Sequence, residues 1–145
     1  MEISEKEYAQ LTKEKSPDSK LFKNCLTAFF IGGLICSVGQ ALTQWYQSFG
    51  IVETDARAWT SITLVFVGVL LTALNIYSKI AKYAGAGTLV PITGFANSVA
   101  SPAIEFKSEG LILGLGAKMF VIAGPVIVYG TLAGFIYGLF LVIFS

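Results

Sequence analysis

Hydrophobic residues in this chain fall into long runs that are separated by short polar or charged segments. Residues 24–52, 58–78 and 119–145 carry no Asp, Glu, Lys or Arg. Each run can supply the 20 or so apolar residues that a helix needs to cross a membrane core about 30 Å thick. Trp45 and Trp59 stand at facing ends of the first two runs, where an aromatic ring suits the membrane interface. The pattern predicts an all-α integral membrane protein.

A fourth uncharged run, residues 83–104, is broken by glycine and proline and carries small polar side chains. Each break frees backbone polar groups, which a membrane tolerates only against protein or along a water-filled path. We expect helix breaks at Gly85, Gly87, Pro91 and Pro102, with a half-helix ending near Ser101. We expect a solute path lined by Thr88, Thr93, Gly94, Asn97, Ser98 and Ser101. Hydrogen bonding between helices is the other role open to such Ser and Thr residues.

The charged segments between the runs define the expected topology. Glu53, Asp55 and Arg57 are assigned to the loop between the first two spans, and Glu105, Lys107 and Glu109 to a hinge. The apolar stretch 111–117 is too short to span, and Lys118 separates it from the last run. Either the broken segment crosses the membrane, giving four spans, or residues 83–117 form a re-entrant hairpin, giving three. We expect about four transmembrane segments, one of them broken.

Lysines set the expected orientation. Lys20 and Lys23 precede the first span, and Lys79 and Lys82 follow the second. Because cytoplasmic loops are enriched in Lys and Arg, both flanks are expected on the cytoplasmic side. We therefore divide the chain into a polar cytoplasmic N-terminal tail, residues 1–20, and a single membrane domain, residues 21–145. The tail lacks the apolar region of a cleavable signal peptide.

Gly130, Gly134 and Gly138 recur at every fourth position of the last run. On a helix they form one smooth stripe that lets a second helix approach closely. The stripe is expected to pack either against another subunit, in a homo- or hetero-oligomer, or against the first or second helix of the same chain.

Composition narrows the function. The chain is 54% hydrophobic and 13% charged, has a net charge of +1 and contains no His. It shows no nucleophile–base pair, metal cluster or phosphate-binding loop, so we expect no enzyme activity, no cofactor, no metal and no nucleic-acid partner. Every carboxylate lies outside the uncharged runs, which favours a passive pore over an ion-coupled transporter. Half-helix N-termini at the breaks would favour an anionic solute.

The segment GAGTLVPITGFANSVASPAIEFKSEGLILGLGAKMFVIAGPVIVYG resembles the signature region of the stage V sporulation protein AC/AE membrane family. The preceding LFKNCLTAFFIGGLICSVGQ and the charged tail are closer to the AC branch than to the shorter AE branch, and the resemblance extends from about residue 21 to the C-terminus. It implies residence in the forespore or spore inner membrane, with membrane lipid and the stage V sporulation proteins AD and AE as partners. It also implies transport of dipicolinic acid, with calcium, into the forespore and out at germination.

Dipicolinate is a dicarboxylate, which agrees with the preference of helix N-termini for anions. The expected function is therefore a subunit of a dipicolinate channel. The alternative is a structural adaptor that anchors the partner proteins of such a channel without forming the path itself.

Overall fold

A computed structural model describes Glu7, Tyr8, Thr12 and residues 20–144, and throughout these residues the ordered elements are helical. The assigned N-terminal tail, residues 1–20, lies outside the described residues apart from Glu7, Tyr8, Thr12 and Lys20. The helices are α1 (Leu21–Ser48), α2 (Glu53–Ala73), α3 (Tyr77–Ala84), α4 (Ala86–Leu89), α5 (Ile92–Glu105) and α6 (Ala117–Phe144). A 3₁₀ turn, Lys107–Glu109, and a π-helix, Leu111–Gly116, join α5 to α6.

Helices α1 and α2 form a hairpin. Gly50, at φ 81°, follows the end of α1 and takes the left-handed conformation that glycine adopts without strain. Two hydroxyl pairs join the helices: Thr43 and Thr60 at 2.9 Å between their Oγ1 atoms, and Tyr46 Oη with Thr63 Oγ1 at 2.8 Å. Such polar contacts between helices suit a membrane, where burial of apolar surface does not drive association.

The loop between the first two spans ends earlier in the sequence than predicted, because α2 already begins at Glu53. Glu53, Asp55 and Arg57 belong to the first turns of α2, and Arg57 forms an ion pair with Glu53 one turn away. Acidic side chains stabilise a helix N-terminus because its backbone N–H groups carry partial positive charge. Helix α2 therefore begins earlier than the uncharged run and ends at Ala73, before Asn75 at φ 56°.

The expected fourth span is not confirmed. Among the described residues, three helical segments are long and apolar enough to cross a membrane: Leu21–Ser48, Glu53–Ala73 and Leu111–Phe144. Helices α3, α4 and α5 have 8, 4 and 14 residues, each shorter than the 20 or so that a span requires. The apolar stretch 111–117, treated above as separate, continues directly into α6 and lengthens the third span.

Two of the expected helix breaks coincide with interruptions between these short helices. Gly85, at φ 50° and ψ −122°, separates α3 from α4, and Pro91, in an extended conformation, precedes α5. Gly87 instead lies within α4. The break expected at Pro102 is wrong, because α5 continues through Pro102 to Glu105. A proline inside a helix removes one backbone hydrogen bond, here the bond to the Ser98 carbonyl. The helix nevertheless continues after Pro102.

The interior of the bundle is built from small residues. The buried apolar side chains are mostly alanines, and the buried polar ones are all threonines: Ala56, Ala84, Ala96, Ala100 and Ala123, with Tyr77, and Thr43, Thr60, Thr72, Thr88 and Thr93. Small side chains let helices approach closely enough for dispersion contacts and interhelical hydrogen bonds, which hold membrane bundles together. Large apolar side chains, in contrast, are mostly exposed, notably along α6.

Candidate functional site

The candidate site is a cavity of about 320 Å³ between α3, α5 and α6, called here the α5 cavity. Its size falls at the lower end of the range for small-molecule sites, and its mixture of apolar walls with a few polar groups is typical of them. The lining residues are Tyr77, Ala81, Gly85, Thr88, Leu89, Gly94, Asn97, Ser98, Ser101, Pro102 and Ile122.

The interrupted backbone creates this cavity by folding α4 back onto α5. The positive φ of Gly85 redirects the chain after α3, and the Gly85 carbonyl accepts a 3.0 Å hydrogen bond from the Thr88 hydroxyl. Gly94 makes the fold possible, because a Cβ there would overlap the Thr88 carbonyl oxygen and come within 2.5 Å of the Leu89 carbonyl oxygen. Any larger residue at position 94 would push α4 away from α5.

One face of α5 supplies most of the polar wall. Gly94, Asn97 and Ser101 follow one another at spacings of three and four residues, which places them on one side of a helix. The Ser98 hydroxyl donates to the Phe95 carbonyl of its own helix at 2.8 Å, and Ser101 is exposed. Because Ser98 takes its partner from its own helix, its hydroxyl is not needed to hold two helices together.

Asn97 connects the cavity wall to α2. The Thr72 hydroxyl lies 2.9 Å from Asn97 Oδ1 and 2.7 Å from the carbonyl oxygen of Gly68. The Thr72 hydroxyl has one hydrogen, so either the Gly68 carbonyl and Asn97 Oδ1 share it, or the Asn97 amide is turned by 180° and its NH₂ group donates to the Thr72 oxygen. Gly68 also lets the helices approach, since a Cβ there would lie 3.1 Å from Ala96 Cβ. This contact fixes α5 against α2.

The structure therefore brings five of the six expected path residues to the α5 cavity: Thr88, Gly94, Asn97, Ser98 and Ser101. Thr93 is the exception. It is buried, its Oγ1 lies 3.1 Å from the Tyr77 hydroxyl, and it lines a different cavity against α1 and α2.

The expected helix-break residues divide between two places. Gly85 and Pro102 line the α5 cavity, whereas Gly87 and Pro91 line an apolar groove of about 610 Å³ between α1 and α4. Gly87 lies directly against α1, where a Cβ would come within 2.5 Å of the Ala28 carbonyl oxygen.

The glycine stripe of α6 makes no close contact with the described residues of the chain. A Cβ built on Gly130, Gly134 or Gly138 would meet nothing within 4 Å. Of the two alternatives, packing against α1 or α2 of the same chain is therefore not observed, and contact with another subunit stays a prediction.

Sequence reasoning did not identify Tyr77 or the pair Gly68 and Thr72. Tyr77 is 4% exposed, and its hydroxyl donates to the Thr88 carbonyl oxygen at 2.7 Å. The signal for Gly68 and Thr72 is their spacing of four within the second uncharged run, which is typical of a helix-packing face. The signal for Tyr77 is weaker: it follows Asn75, a residue type that readily ends helices.

No side chain lining the α5 cavity is charged. Within the described part of the chain, no group of three or more His, Cys, Asp or Glu side chains could hold a metal ion. The nearest formal charge in sequence is Lys82, which lines a neighbouring cavity of about 350 Å³ that shares Gly85 with the α5 cavity. The chemistry of the site is thus that of neutral hydrogen-bonding groups, with one cation, Lys82, at the neighbouring cavity.

Comparison with known proteins gives the family. The model of the SpoVAC/SpoVAEB sporulation membrane protein family matches residues 24–140. Stage V sporulation protein AC of Bacillus subtilis (strain 168) is 47% identical over 133 residues, which cover 91% of this chain and 89% of the relative. No solved structure matches the chain. The chain therefore belongs to the SpoVAC/SpoVAEB family of sporulation membrane proteins.

Proposed function

We propose that this chain is a subunit of a channel in the inner membrane of the spore. Its solute is dipicolinate, accompanied by calcium, which enters the forespore during sporulation and leaves at germination. Dipicolinate, calcium and the AD and AE partners come from the family resemblance described above. The observation that supports a path in this chain is the α5 cavity, in which Asn97, Ser98 and Ser101 present polar groups beside an interrupted backbone.

The chemistry of the cavity suits a dicarboxylate that passes through without being held. Hydroxyl and amide donors can solvate an anion, and a solute leaves readily when no fixed cation binds it tightly. Lys82 stands at the adjoining cavity, where a positive charge raises the local concentration of an anion before it enters.

The lengths of the helices support a three-span topology with a re-entrant segment. Helices α3, α4 and α5 enter and leave on the side of Lys79 and Lys82, while α1, α2 and α6 cross. Asn97, on the cavity wall, bonds to Thr72, the second-to-last residue of α2, so the α5 cavity lies toward the side of Lys79 and Lys82. Interrupted helices that line a cavity are where transporters and channels bind their solutes.

The test is Ser98→Leu, with Ser37→Leu as the matched control. Both serines donate only to a carbonyl of their own helix, Ser98 to Phe95 at 2.8 Å and Ser37 to Gly33 at 2.9 Å. Only Ser98 lines the α5 cavity, whereas Ser37 is exposed on α1. Leu in place of Ser98 fills part of the α5 cavity with apolar bulk, so the rate of dipicolinate release should fall.

The measurement is dipicolinate content of sporulating cells and its release rate at germination, with the amount of each variant in the membrane checked by immunoblot. Ser37→Leu should behave like the parent. Equal release from both variants, at equal protein levels, would remove the α5 cavity from the path.

The adaptor role has one observation in its favour. Most of the large apolar side chains of α6 are exposed, and its glycine stripe touches nothing else in the described part of the chain, which suits contact with a partner. If Ser98→Leu has no effect while variants of α6 abolish assembly with the AD and AE proteins, the chain is an adaptor and the path lies elsewhere.

A further inference from the structure

Tyr77 stands between two cavities. Its side chain lines the α5 cavity and also a second cavity of about 250 Å³ between α1, α2 and α3, called here the inner cavity. Tyr77 is only 4% exposed, and Thr88 beside it is another residue that lines both spaces. On the α1 and α2 side the inner cavity is lined by aliphatic residues alone: Ile31, Leu34, Ile35, Val38, Leu64, Val67 and Leu71. The Tyr77 ring and Thr88 therefore form the partition between a partly polar space and an apolar one.

Hydrogen bonds hold the Tyr77 ring in this position. Its hydroxyl donates to the Thr88 carbonyl oxygen at 2.7 Å and lies 3.1 Å from Thr93 Oγ1. Thr88 belongs to α4 and Thr93 to α5, so one hydroxyl connects α3 to both of the short helices that follow it. In a low-dielectric interior an unmade hydrogen bond is costly, which makes the closed arrangement well defined.

The inner cavity provides room for the ring to move. Protein interiors are packed so closely that an aromatic side chain normally has no alternative position nearby. Here the inner cavity, which is open on the side of the exposed Leu34 and Val38, lies against the ring, and its aliphatic lining suits an aromatic surface better than it suits a carboxylate.

We propose that Tyr77 is the gate of the path. With its hydroxyl bonded to Thr88 and Thr93 the ring narrows the α5 cavity, and when those bonds break the ring moves into the inner cavity and widens the path. The gate rests on the channel function proposed above. It is a two-state element, so any change that favours one position of the ring shifts the population of open channels.

Two substitutions should act in opposite directions. Tyr77→Phe keeps the ring but removes the hydroxyl, so the open position gains population and dipicolinate efflux should rise by about threefold, the factor that one interhelical hydrogen bond in a membrane supplies. Ile35→Phe fills the inner cavity, leaves the ring no room and should lower efflux several-fold below the parent. A merely structural role would move both variants in the same direction.

Matched controls exist elsewhere in the bundle. Tyr46→Phe removes a tyrosine hydroxyl that is paired with Thr63 at 2.8 Å, away from both cavities. Ile62→Phe places the same bulk on α2 at a residue that is 60% exposed. Both controls should conduct like the parent. The assay is efflux of dipicolinate from liposomes that contain the full chain, with the AD and AE proteins added in a parallel set.

A thiol measurement separates failure of the gate from failure of the channel. With Cys25→Ala and Cys36→Ala as background, Leu71→Cys puts a thiol on the wall of the inner cavity. Its reaction with a water-soluble maleimide should be slower when Tyr77→Phe is added, because the displaced ring then occupies the inner cavity, and unchanged when Tyr46→Phe is added.

If the liposomes pass dipicolinate but Tyr77→Phe and Ile35→Phe change efflux in the same direction or leave it unchanged, the gate is refuted and the channel stands. If no liposome passes dipicolinate, the proposed function fails, and the maleimide rates decide whether Tyr77 still separates the two cavities. Equal rates with and without the Tyr77 hydroxyl would refute the partition itself.

Discussion

Gly87→Ala should destabilise the protein although it places a better helix former in α4. A Cβ at position 87 would lie 2.5 Å from the carbonyl oxygen and 2.9 Å from the Cα of Ala28. Ordinary contact begins at 3.4 Å, so α4 and α1 must separate by about 0.9 Å, the difference between the two distances. Both obstructing atoms belong to the backbone of α1, and neither can rotate away.

The size of the effect follows from two opposing terms. Overpacking a close contact costs about 1–3 kcal/mol, and rigid backbone on the other side puts this site in the upper part of that range. Replacing a glycine within a helix by alanine stabilises the folded protein by about 1 kcal/mol, because alanine has the higher helix propensity. The net loss is then about 1–2 kcal/mol, or a fall in melting temperature of about 2–8 °C at the sensitivity typical of this chain length.

Gly33→Ala is the matched control. Gly33 lies on the neighbouring helix α1, and a Cβ there meets nothing within 4 Å. Gly33→Ala should therefore stabilise the protein by the difference in helix propensity alone, about 1 kcal/mol. Gly68→Ala should fall between the two, because its Cβ would lie 3.1 Å from Ala96 Cβ and 3.2 Å from the Thr93 carbonyl oxygen. Thermal unfolding of each purified variant in detergent, followed by far-ultraviolet circular dichroism, gives the order. A Gly87→Ala protein that melts at or above Gly33→Ala would show that α4 does not pack on α1 as described.

Two further predictions concern the membrane. Gly134→Leu should not lower the melting temperature of the isolated chain, since a Cβ there has no neighbour within 4 Å. It should weaken assembly with a second subunit, read by crosslinking in membranes; intact assembly would mean that the stripe faces lipid. Ser48→Cys should react with an external thiol reagent and Ser78→Cys should be protected, in a background without Cys25 and Cys36, because Lys79, which follows Ser78, is expected on the cytoplasmic side; the reverse pattern would invert the topology.

Run length and charge were sufficient to predict three spans, but they also suggested a fourth and did not show where each helix begins. The first uncharged run is residues 24–52, and the helix observed there is Leu21–Ser48. The second begins at Glu53 because a helix N-terminus accepts acidic residues, a preference that a search for uncharged residues ignores. The third extends back to Leu111 because the π-helix joins a short apolar stretch to α6 across Lys118. Lys118 itself is exposed, with its Nζ 4.7 Å above the Phe106 ring, so its charge needs no place inside the bundle.

The broken segment was predictable where glycine or proline controls the backbone, and less so where packing decides. Gly85 needs a positive φ, and Pro91 cannot continue a helix from α4, so sequence alone identifies both positions. Sequence alone does not distinguish Pro102 from Pro91 as a helix break, yet α5 continues through Pro102. Whether a helix continues after losing one hydrogen bond depends on the tertiary packing that keeps its two halves aligned, and local sequence does not show that packing.

The partner of each hydroxyl is what sequence could not assign. Small polar residues in a membrane segment either join helices or line a path, and the residue type is the same in both cases. In this chain Thr93 joins helices, because its Oγ1 lies 3.1 Å from the Tyr77 hydroxyl across the inner cavity wall. Ser98 satisfies its hydroxyl within α5 and thereby remains available to the α5 cavity without weakening any helix contact. A hydroxyl that is bonded locally can change its solvation as a solute passes, whereas one that joins two helices cannot do so without separating them. Among the polar residues of the broken segment, Ser98 therefore suits a path, and Thr93 suits the partition that closes it.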